Sequence, residues 1–227
     1  MIRIFDFFFS LVAIVFFIPF FIIICLILKF TGEGKVFYFQ KRIGVNGKVF
    51  SIIKFATMLE NSDKYNTQTI TIKNDPRILP FGNFLRRSKI NELPQLINVL
   101  IGDMSLIGPR PLVGKNLSYY DSNDKKIILR NRPGLSGIGS IIFSSEENLL
   151  NETEDSWNFY IHSIVPYKSK LEIWFSNNLS IKLYLELIIF TIYVTLSGNF
   201  NFLFNYYLDL PRIPEEIKSK FITIKKV

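Results

Sequence analysis

The sequence predicts an α+β protein. We expect an N-terminal re-entrant or kinked membrane helix, then a small, mainly helical cytoplasmic domain with short strands and interfacial amphipathic helices. Three observations predict this fold: an uncharged apolar run over 7–28, short apolar segments at 36–39 and 49–55, and helically spaced apolar residues after position 90. At 227 residues the chain suits one domain with an appendage. We divide it into a membrane-inserted helix, 1–30, a main domain, 31–212, and a basic C-terminal tail, 213–227.

The first element is the apolar run, which is long enough as a helix to cross a hydrocarbon core of roughly 30 Å. A cleaved signal peptide is disfavoured, because the run exceeds the usual apolar length of about 7–15 residues. Only Arg3 supplies a positive charge before it, and no small-x-small cleavage site follows it. The run is therefore predicted to stay in the membrane.

Pro19 interrupts this run and removes one backbone hydrogen bond from the helix. It either kinks a spanning helix or breaks the helix into two limbs that enter and leave by the same face. In the second case Arg3, Asp6 and Lys29 all stay in one interface. Both alternatives remain open from the residues alone.

Basic residues follow the apolar run closely, whereas Arg3 alone precedes it. They are Lys29, Lys35, Lys41, Arg42 and Lys48. By the positive-inside rule the main domain is expected to be cytoplasmic.

Composition narrows the classes of partner. The chain is 48% hydrophobic with 23 Phe, and its net charge is +8. This combination indicates a membrane surface, anionic lipids or phosphates, or nucleic acid. Nucleic acid is disfavoured because no zinc finger, RNP motif or basic helical stripe is present. The single cysteine, Cys25, excludes an intramolecular disulfide, which fits a reducing compartment.

The middle of the chain predicts two strands, a loop and a helix. The strands, 36–39 and 49–55, flank a loop with two glycines, and the polar segment 61–74 is predicted to be a mobile loop. A helix is predicted from Asn91, which would be its N-cap, with Pro94 in its first turn and Gly102 at its end.

The C-terminal half is predicted to be largely helical. A strand is expected over 135–143, and a helix over 148–174 with a break at Pro166. The stretch 181–196 predicts an amphipathic helix that lies on the membrane or covers the core. The tail, 213–227, either rests on anionic lipid or is solvated.

Basic and acidic residues concentrate around the predicted helix start. Arg86, Arg87 and Lys89 precede it, and together with the helix N-terminus they would face anionic lipid or bind phosphate. Glu92 has two interpretations. It complements the helix dipole, or it is a ligand for Mg²⁺, which typically takes one or two carboxylates plus phosphate oxygens.

Two proline-flanked arginines could bind phosphate. Arg110 lies between Pro109 and Pro111 in a rigid turn that would orient its guanidinium for bidentate binding, and Arg132 precedes Pro133 in a similar turn. By contrast, Arg77 in the Asp75-Pro76-Arg77 turn could simply be solvated. His162, the only histidine, is interpreted as structural. The absence of a P-loop or dinucleotide-binding loop gives kinase, ATPase and Rossmann functions no support.

Taken in order, these segments resemble the bacterial sugar transferases of the monotopic phosphoglycosyl transferase family, in their minimal catalytic-domain form. The resemblance covers nearly the whole chain. Its motifs are FD at 5–6, VFYFQKRIG at 36–44, GKVFSIIKF at 47–55, TM at 57–58, then DPRI, FLRR, NELPQLINVL, GDMSLIGPRP and RPGLSG.

The resemblance implies a reaction. Such enzymes move a sugar-1-phosphate from a UDP-sugar to undecaprenyl (polyprenyl) phosphate with Mg²⁺, release UMP, and so start the assembly of exopolysaccharide, O-antigen or capsule. The implied location is the bacterial inner (cytoplasmic) membrane, with the catalytic domain facing the cytoplasm. A homo-oligomer and downstream glycosyltransferases are open as further partners, and nucleic acid is not expected.

The resemblance also assigns residues. Glu92 becomes the metal-associated carboxylate. Pro19 matches the proline that bends the membrane helix into a re-entrant hairpin, although Ile18 stands where a serine is usual. Ala56 replaces a usual arginine. The positions expected to hold phosphates are Lys54, Arg86, Arg110 and Arg132.

One departure affects the chemistry directly. Asn91 occupies the position of the family's nucleophilic aspartate, and an uncharged amide cannot attack phosphorus in that role. Three alternatives follow: Glu92 is the nucleophile, the acceptor attacks directly, or the protein is a catalytically impaired membrane scaffold. Because the surrounding basic residues are present, we favour an active enzyme.

Overall fold

The computed structural model describes residues 1–60, 75–151, 153 and 155–224. The predicted mobile loop 61–74 lies outside these residues. The described part is mainly helical with two short two-stranded sheets, which confirms the expected α+β class. Its α-helices are α1 Ile2–Phe30, α2 Pro80–Arg87, α3 Gln95–Ile101, α4 Gly114–Leu117, α5 Ser122–Ile128, α6 Ile138–Ile142, α7 Glu146–Asn151, α8 Ser156–Phe159, α9 Val165–Asn178, α10 Ile181–Ser197, α11 Leu203–Tyr206 and α12 Glu215–Ile224.

The first sheet contains the two predicted strands, although the first of them extends further than expected, to Ile43. Strands β1 (Phe37–Ile43) and β2 (Val49–Phe55) pair antiparallel. The chain reverses through a short 3₁₀ turn, Val45–Gly47, in which Asn46 and Gly47 both have positive φ. Turns that join such strands need residues that tolerate the left-handed region, and an Asn-Gly pair supplies them.

The second sheet places two loops side by side. Strands β3 (Ser105–Ile107) and β4 (Gly134–Ser136) pair parallel over three residues each. A Cβ at Gly108 would lie 2.3 Å from the Arg132 carbonyl oxygen, so only glycine allows this approach. The turn that carries Arg110 therefore begins against the segment that follows Arg132.

The predicted strand over 135–143 is mostly wrong. Only Gly134–Ser136 is extended, and the following residues form helix α6. Ile138, Ile141 and Ile142 of α6 are buried in the main core. Tertiary packing thus overrides the β-preference of these isoleucines.

The helix predicted from Asn91 starts later than expected. Residues Ile90–Glu92 form a 3₁₀ turn, and α3 begins at Gln95 with Pro94 as its N-cap. The predicted cap at Asn91 is therefore wrong. Gly102 ends α3 with φ 103°, as predicted.

The predicted break at Pro166 is also wrong. Helix runs from Ser156 to Asn178, and Tyr160–Ile164 within it has π-helical geometry. Pro166 lies in the first turn of α9, directly after this wider segment. A π-type turn tolerates the missing N–H donor, so the proline does not end the helix.

The main hydrophobic core lies among α6, α9 and α10. The larger side chains at its centre are Ile138, Ile164, Tyr167, Leu171, Phe175 and Tyr184. Helix α12 also contributes to this core, because Ile217 is completely buried. At least this part of the predicted basic tail is helical and packed against the domain.

Both ends of α1 pack against the same globular body. At the N-terminal end, the Arg3 guanidinium donates to the carbonyl oxygens of Val99 and Leu100 in α3. At the other end, Ile24 and Leu28 pack with a core cluster that includes β2 and α2 residues. Among the described helices α1 alone is long and apolar enough to span a membrane, by length and composition.

The middle of α1 is exposed. Its large exposed side chains include Leu11, Val12, Val15, Phe16, Ile18, Phe20, Ile22 and Ile23. Helix α10 confirms the predicted helix over 181–196, and its outer side is exposed and apolar at Ile189, Ile192, Tyr193 and Leu196. Both helices thus leave apolar surface uncovered, which is typical of segments that contact lipid.

Candidate active site

The centre of the candidate site is the carboxylate of Glu92. Lys54 reaches it from β2, with 2.8 Å between Nζ and Oε1. Arg110 reaches the same oxygen from the proline-flanked turn, at 3.7 Å. Glu92 itself is presented by the 3₁₀ turn Ile90–Glu92. Three separate chain segments thus bring two cations to one carboxylate.

The electrostatics of this cluster keep Glu92 ionised. Burial by itself raises the pKa of the Glu92 carboxyl, but the charges of Lys54 and Arg110 outweigh burial and hold the pKa well below its ordinary range. Burial lowers the pKa of Lys54, and the Glu92 charge opposes this effect. The charge of Glu92 raises the pKa of Arg110. Glu92 is therefore suited to a charged role and unsuited to accepting a proton.

The structure adds Arg42 to this cluster. Its guanidinium donates to the Pro111 carbonyl oxygen at 3.1 Å, which holds the turn that carries Arg110. Burial, with the nearby charge of Arg110, lowers the pKa of Arg42 to about 10. Arg42 lies within the motif VFYFQKRIG at 36–44. Its position in strand β1, where side chains alternate between two faces, is the further feature of the sequence that could have suggested this role.

Asn91 lies beside this cluster and is buried, with 7% of its surface exposed. Lys89 enters the 3₁₀ turn in the left-handed region, with φ 60°. A non-glycine residue in this region costs about 1 kcal/mol or more, and such strain is often found at functional sites. The backbone that presents Asn91 and Glu92 is thus fixed by tertiary packing rather than by helix capping.

The other predicted phosphate-binding residues have different partners. Arg86 is in the last turn of α2 and pairs with Glu147 at 4.0 Å. Arg132 donates from Nε to the Gly102 carbonyl oxygen at 3.0 Å, at the far end of α3. The structure therefore joins Lys54 and Arg110 to Glu92, and it places Arg132 elsewhere.

Arg77 is also different from its prediction. It is 7% exposed and forms a bidentate pair with Asp75, with NH2 to Oδ2 at 2.5 Å. Hydrogen bonds from Arg77 lower the pKa of the Asp75 carboxyl. The solvated interpretation was wrong, since this pair fixes the turn before α2.

A second layer of charge lies behind Arg110. Lys168 of α9 pairs with Glu146 at 2.6 Å. The Lys168 ammonium lies over the Tyr160 ring, and the charge of Glu146 acts on the Tyr160 phenol. Glu172 of α9 is 5% exposed, and burial raises its pKa to about 7. Sequence reasoning missed these residues, because charges within a helical apolar pattern look like an ordinary solvated face.

The residues around Glu92 fit a metal ion only together with phosphate. In the described part of the chain, no three His, Cys, Asp or Glu side chains form a group that could hold a metal. Glu92 is one carboxylate among several cations, which repel a bare divalent ion. A metal–diphosphate complex is different, because its phosphate oxygens supply both ligands and negative charge.

Comparisons with known proteins identify the family of the chain. The family model described as "Bacterial sugar transferase" matches residues 1–198. Exopolysaccharide production protein ExoY of Rhizobium meliloti is 34% identical over 187 residues, which cover 74% of this chain and 82% of that protein. The undecaprenyl-phosphate galactose phosphotransferase of Salmonella typhimurium is 35% identical over 173 residues, covering 68% of this chain and 35% of that protein.

A third relative is the UDP-glucose:undecaprenyl-phosphate glucose-1-phosphate transferase of Xanthomonas campestris, 39% identical over 121 residues, which cover 52% of this chain and 25% of that protein. The present chain thus corresponds to most of the smaller relative, 82%, and to only 35% and 25% of the two larger ones. The family match extends from the membrane helix through α10, and it includes the whole Glu92 cluster. The chain belongs to the bacterial sugar transferase family.

Proposed function

We propose that this protein transfers a sugar-1-phosphate from a UDP-sugar to undecaprenyl (polyprenyl) phosphate and releases UMP. The observation that carries the proposal is the half-buried cluster in which Lys54, Arg110 and Arg42 surround the single carboxylate of Glu92. The cluster has more cations than it needs to neutralise Glu92. Two anionic substrates, a diphosphate and a phosphate monoester, would balance that excess.

The geometry suits phosphate binding. Pro109 and Pro111 restrict the turn around Arg110, and Arg42 holds the Pro111 carbonyl, so the Arg110 guanidinium is oriented before substrate arrives. Arg110 keeps 45% of its side chain exposed, which leaves donors available to a ligand. Partial burial strengthens these charge interactions, because fewer water molecules screen them.

Mg²⁺ is the proposed cofactor. Glu92 would hold it together with diphosphate oxygens, and the ion would neutralise charge that builds up on the departing UMP. The protein's own cations hold the remaining phosphate oxygens. Because Glu92 stays ionised well below neutral pH, its availability as a ligand would not change across the physiological range.

The proposed transfer is a single displacement. Asn91 carries no charge, and Glu92 is held by two cations, so neither is a good nucleophile for phosphorus. An ionised oxygen of polyprenyl phosphate attacks the phosphorus that bears the sugar. The bond from that phosphorus to the bridging oxygen breaks, and UMP leaves with the electron pair. The acceptor needs no general base, since its phosphate is already ionised near pH 7.

The proposed location is the cytoplasmic face of the bacterial inner membrane. The exposed apolar middle of α1 and outer side of α10 support insertion at this surface. The basic residues after α1 support the cytoplasmic side. Both ends of α1 contact one body, which supports entry and exit by the same face. The helix is not broken into two limbs, because α1 continues through Pro19.

The test uses detergent-solubilised protein, undecaprenyl phosphate, Mg²⁺ and a panel of UDP-sugars. We expect UMP release that depends on both the acceptor and one or a few donors. A single displacement also predicts no exchange of labelled UMP into UDP-sugar when the acceptor is omitted. Absence of UMP release across a broad panel would overturn the proposed activity.

A second function has one observation in its favour, namely Asn91 itself. A membrane scaffold for glycan-assembly partners would bind a nucleotide sugar tightly and release no UMP. Turnover that appears only in Asn91→Asp would favour this alternative over the active transferase.

A further inference from the structure

A group of aromatic rings lies beside the cationic cluster and takes no part in the proposed transfer. The Trp157 indole of α8 stacks on the Tyr160 ring, with centroids 6.0 Å apart and planes inclined by 23°. The Tyr119 ring contacts the same indole edge-on at 5.7 Å. The Lys115 ammonium of α4 lies over the indole, 5.6 Å from its centroid. The group thus joins the segment 115–119 to α8 and the first residue after it.

Tyr160 connects these rings to the phosphate-binding groups. Its phenol lies within electrostatic reach of Arg110 and Arg42, and it hydrogen-bonds with the side chain of Asn116. Trp157 stacks on this ring and is thus connected to the guanidinium groups through Tyr160. A nucleotide whose diphosphate is held by Arg110 and Arg42 must place its base on a surface near them, and the indole of Trp157 is a flat apolar surface next to Tyr160.

Trp157 is only partly buried, in contrast to the other tryptophan. Trp174 is 8% exposed, and its indole N–H donates to Asp209 Oδ2 at 2.8 Å. Lys115 is exposed, and a lysine side chain is flexible. A base can therefore displace the ammonium from the indole, and the displaced lysine can then pair with a phosphate.

We infer that the Trp157 indole is the stacking surface for the base of the nucleoside diphosphate donor. This inference rests on the proposed function and assigns a subsite to it. Stacking uses the π face that every base presents, so it holds the nucleoside without defining the sugar. Two polar groups lie nearby: Lys115, whose ammonium the base would displace from the indole, and Asn116, which hydrogen-bonds with Tyr160.

The first experiment measures direct binding by tryptophan fluorescence, with Mg²⁺ present and no acceptor. UDP is the probe, and pyrophosphate is the matched probe that lacks a nucleoside. We expect UDP to quench the fluorescence, and pyrophosphate to do so far less. The quenching by UDP should disappear in Trp157→Phe and persist in Trp174→Phe. Two results would contradict the inference: quenching that is lost in Trp174→Phe but kept in Trp157→Phe, or equal quenching by pyrophosphate.

The second experiment measures affinity by calorimetry. Trp157→Leu should weaken UDP binding by about 5- to 150-fold, the range that corresponds to loss of one stacked base, and should leave pyrophosphate binding unchanged. Trp157→Tyr should recover most of the affinity. Equal weakening of both probes would mean that Trp157 only supports the fold, and no weakening of either would exclude base stacking. UDP binding that depends on Trp157 without UMP release in any assay would support this subsite while rejecting the transferase.

Discussion

Glu92 shows at the residue scale how neighbours define the chemistry of one side chain. Its carboxylate is 20% exposed, and its charge is balanced by Lys54 and Arg110. Replacing it by glutamine removes the charge and leaves both cations uncompensated. We predict that Glu92→Gln lowers kcat for UMP release at least about 100-fold, the usual effect of deleting a key electrostatic group.

The matched control for that prediction is Glu215→Gln. Glu215 is 85% exposed and pairs with Lys218, one turn away in α12. Its substitution should leave UMP release unchanged, because exposed pairs contribute little. A Glu92→Gln enzyme as active as the control would remove Glu92 from the site.

Glu172 makes a pH-dependent contribution to stability. Its carboxylate is buried, one oxygen lies 2.5 Å from the place a Cβ on Gly139 would occupy, and burial raises the pKa from its ordinary value of 4.5 to about 7. Between these two values the folded state keeps a proton that the unfolded state has lost. Folding stability should therefore fall as pH rises from about 4.5 to 7, by an amount on the order of 3 kcal/mol.

Glu172→Gln should abolish this decline. The amide cannot ionise, so the variant should unfold at a higher temperature than the wild type at pH 8, and the difference should shrink toward pH 5. Thermal unfolding followed by tryptophan fluorescence across this range measures the effect. Glu147→Gln, at a 45% exposed position, serves as control and should leave the pH dependence intact. An unchanged slope in Glu172→Gln would mean that another group titrates.

Asn91 allows a direct test of the transfer mechanism. Asn91→Asp keeps the shape of the side chain and adds a carboxylate beside Glu92. We predict that this variant gains exchange of labelled UMP into UDP-sugar without acceptor, because a covalent sugar-phosphate can then form and revert. Asn91→Ala should show no exchange. Exchange in the unaltered protein would instead identify a covalent route that does not need Asp at this position.

The sequence pointed to some of the residues that the structure brings together and missed others. Glu92 and Arg110 were singled out because a carboxylate beside a basic cluster and an arginine between prolines suit a metal–phosphate site, and the structure places them 3.7 Å apart. Glu172 and Lys168 did not, because their environment depends on α6, α7 and α9 packing together, and no local pattern records that. Arg42 likewise acquires its role only when β1 meets the turn at Pro111.

At the element scale, two predictions from local residue preferences were wrong: the N-cap at Asn91 and the helix break at Pro166. Asparagine is a good N-cap, yet Asn91 sits inside a 3₁₀ turn because Lys89 adopts the left-handed region and Pro94 takes the cap position. Proline is a poor residue within a helix, yet Pro166 follows a π segment that tolerates it. In both places the deviation lies within or beside the candidate site, where irregular backbone is expected.

A buried carboxylate, together with Arg3, attaches the N-terminal end of α1 to the domain. Asp6 is 1% exposed and accepts hydrogen bonds from Ser105 Oγ, Leu106 N and Tyr184 Oη, at 2.8, 2.9 and 2.8 Å. We predict that Asp6→Ala destabilises the protein by about 2–4 kcal/mol, because it leaves buried donors unsatisfied.

Unfolding in detergent checks this prediction, with two comparisons. Asp6→Asn keeps an acceptor oxygen and should have a smaller effect. Phe8→Ala, at a 58% exposed position of the same helix, should have almost none. If Asp6→Ala unfolds at the same temperature as Phe8→Ala, Asp6 does not anchor the helix.

At the scale of the whole molecule, Asp6 connects the exposed apolar surfaces of α1 and α10. Asp6 of α1 contacts Tyr184 of α10, and Arg3 contacts the end of α3, where Ile101 is 65% exposed. These elements therefore border one another and present apolar side chains. Glu92 precedes α3 and Ile101 ends it, so this helix connects the exposed apolar surface to the candidate active site. Such an arrangement suits a lipid-linked acceptor meeting a water-soluble donor.

The same contacts predict the topology of α1 in the membrane. A helix that crosses the bilayer has its ends at opposite faces, and a single globular body cannot then hold both. Here Arg3 and Asp6 bind the body at one end, and Leu28 is buried in it at the other. Helix α1 continues through Pro19, and a continuous helix can still have both ends at one face if it bends near the proline. The residues flanking α1 should therefore face the same side.

Cysteine labelling tests this topology in membrane vesicles. Ile4→Cys and Lys35→Cys, each in a Cys25→Ala background, place one thiol at either end of α1. Both positions are more than half exposed. A membrane-impermeant maleimide should label both variants in inverted vesicles and neither in right-side-out vesicles, because both ends of α1 contact the globular body and we propose that this body is cytoplasmic. Opposite labelling of the two variants would mean that α1 spans the bilayer, and the contacts of Arg3 and Asp6 would then have to break on insertion.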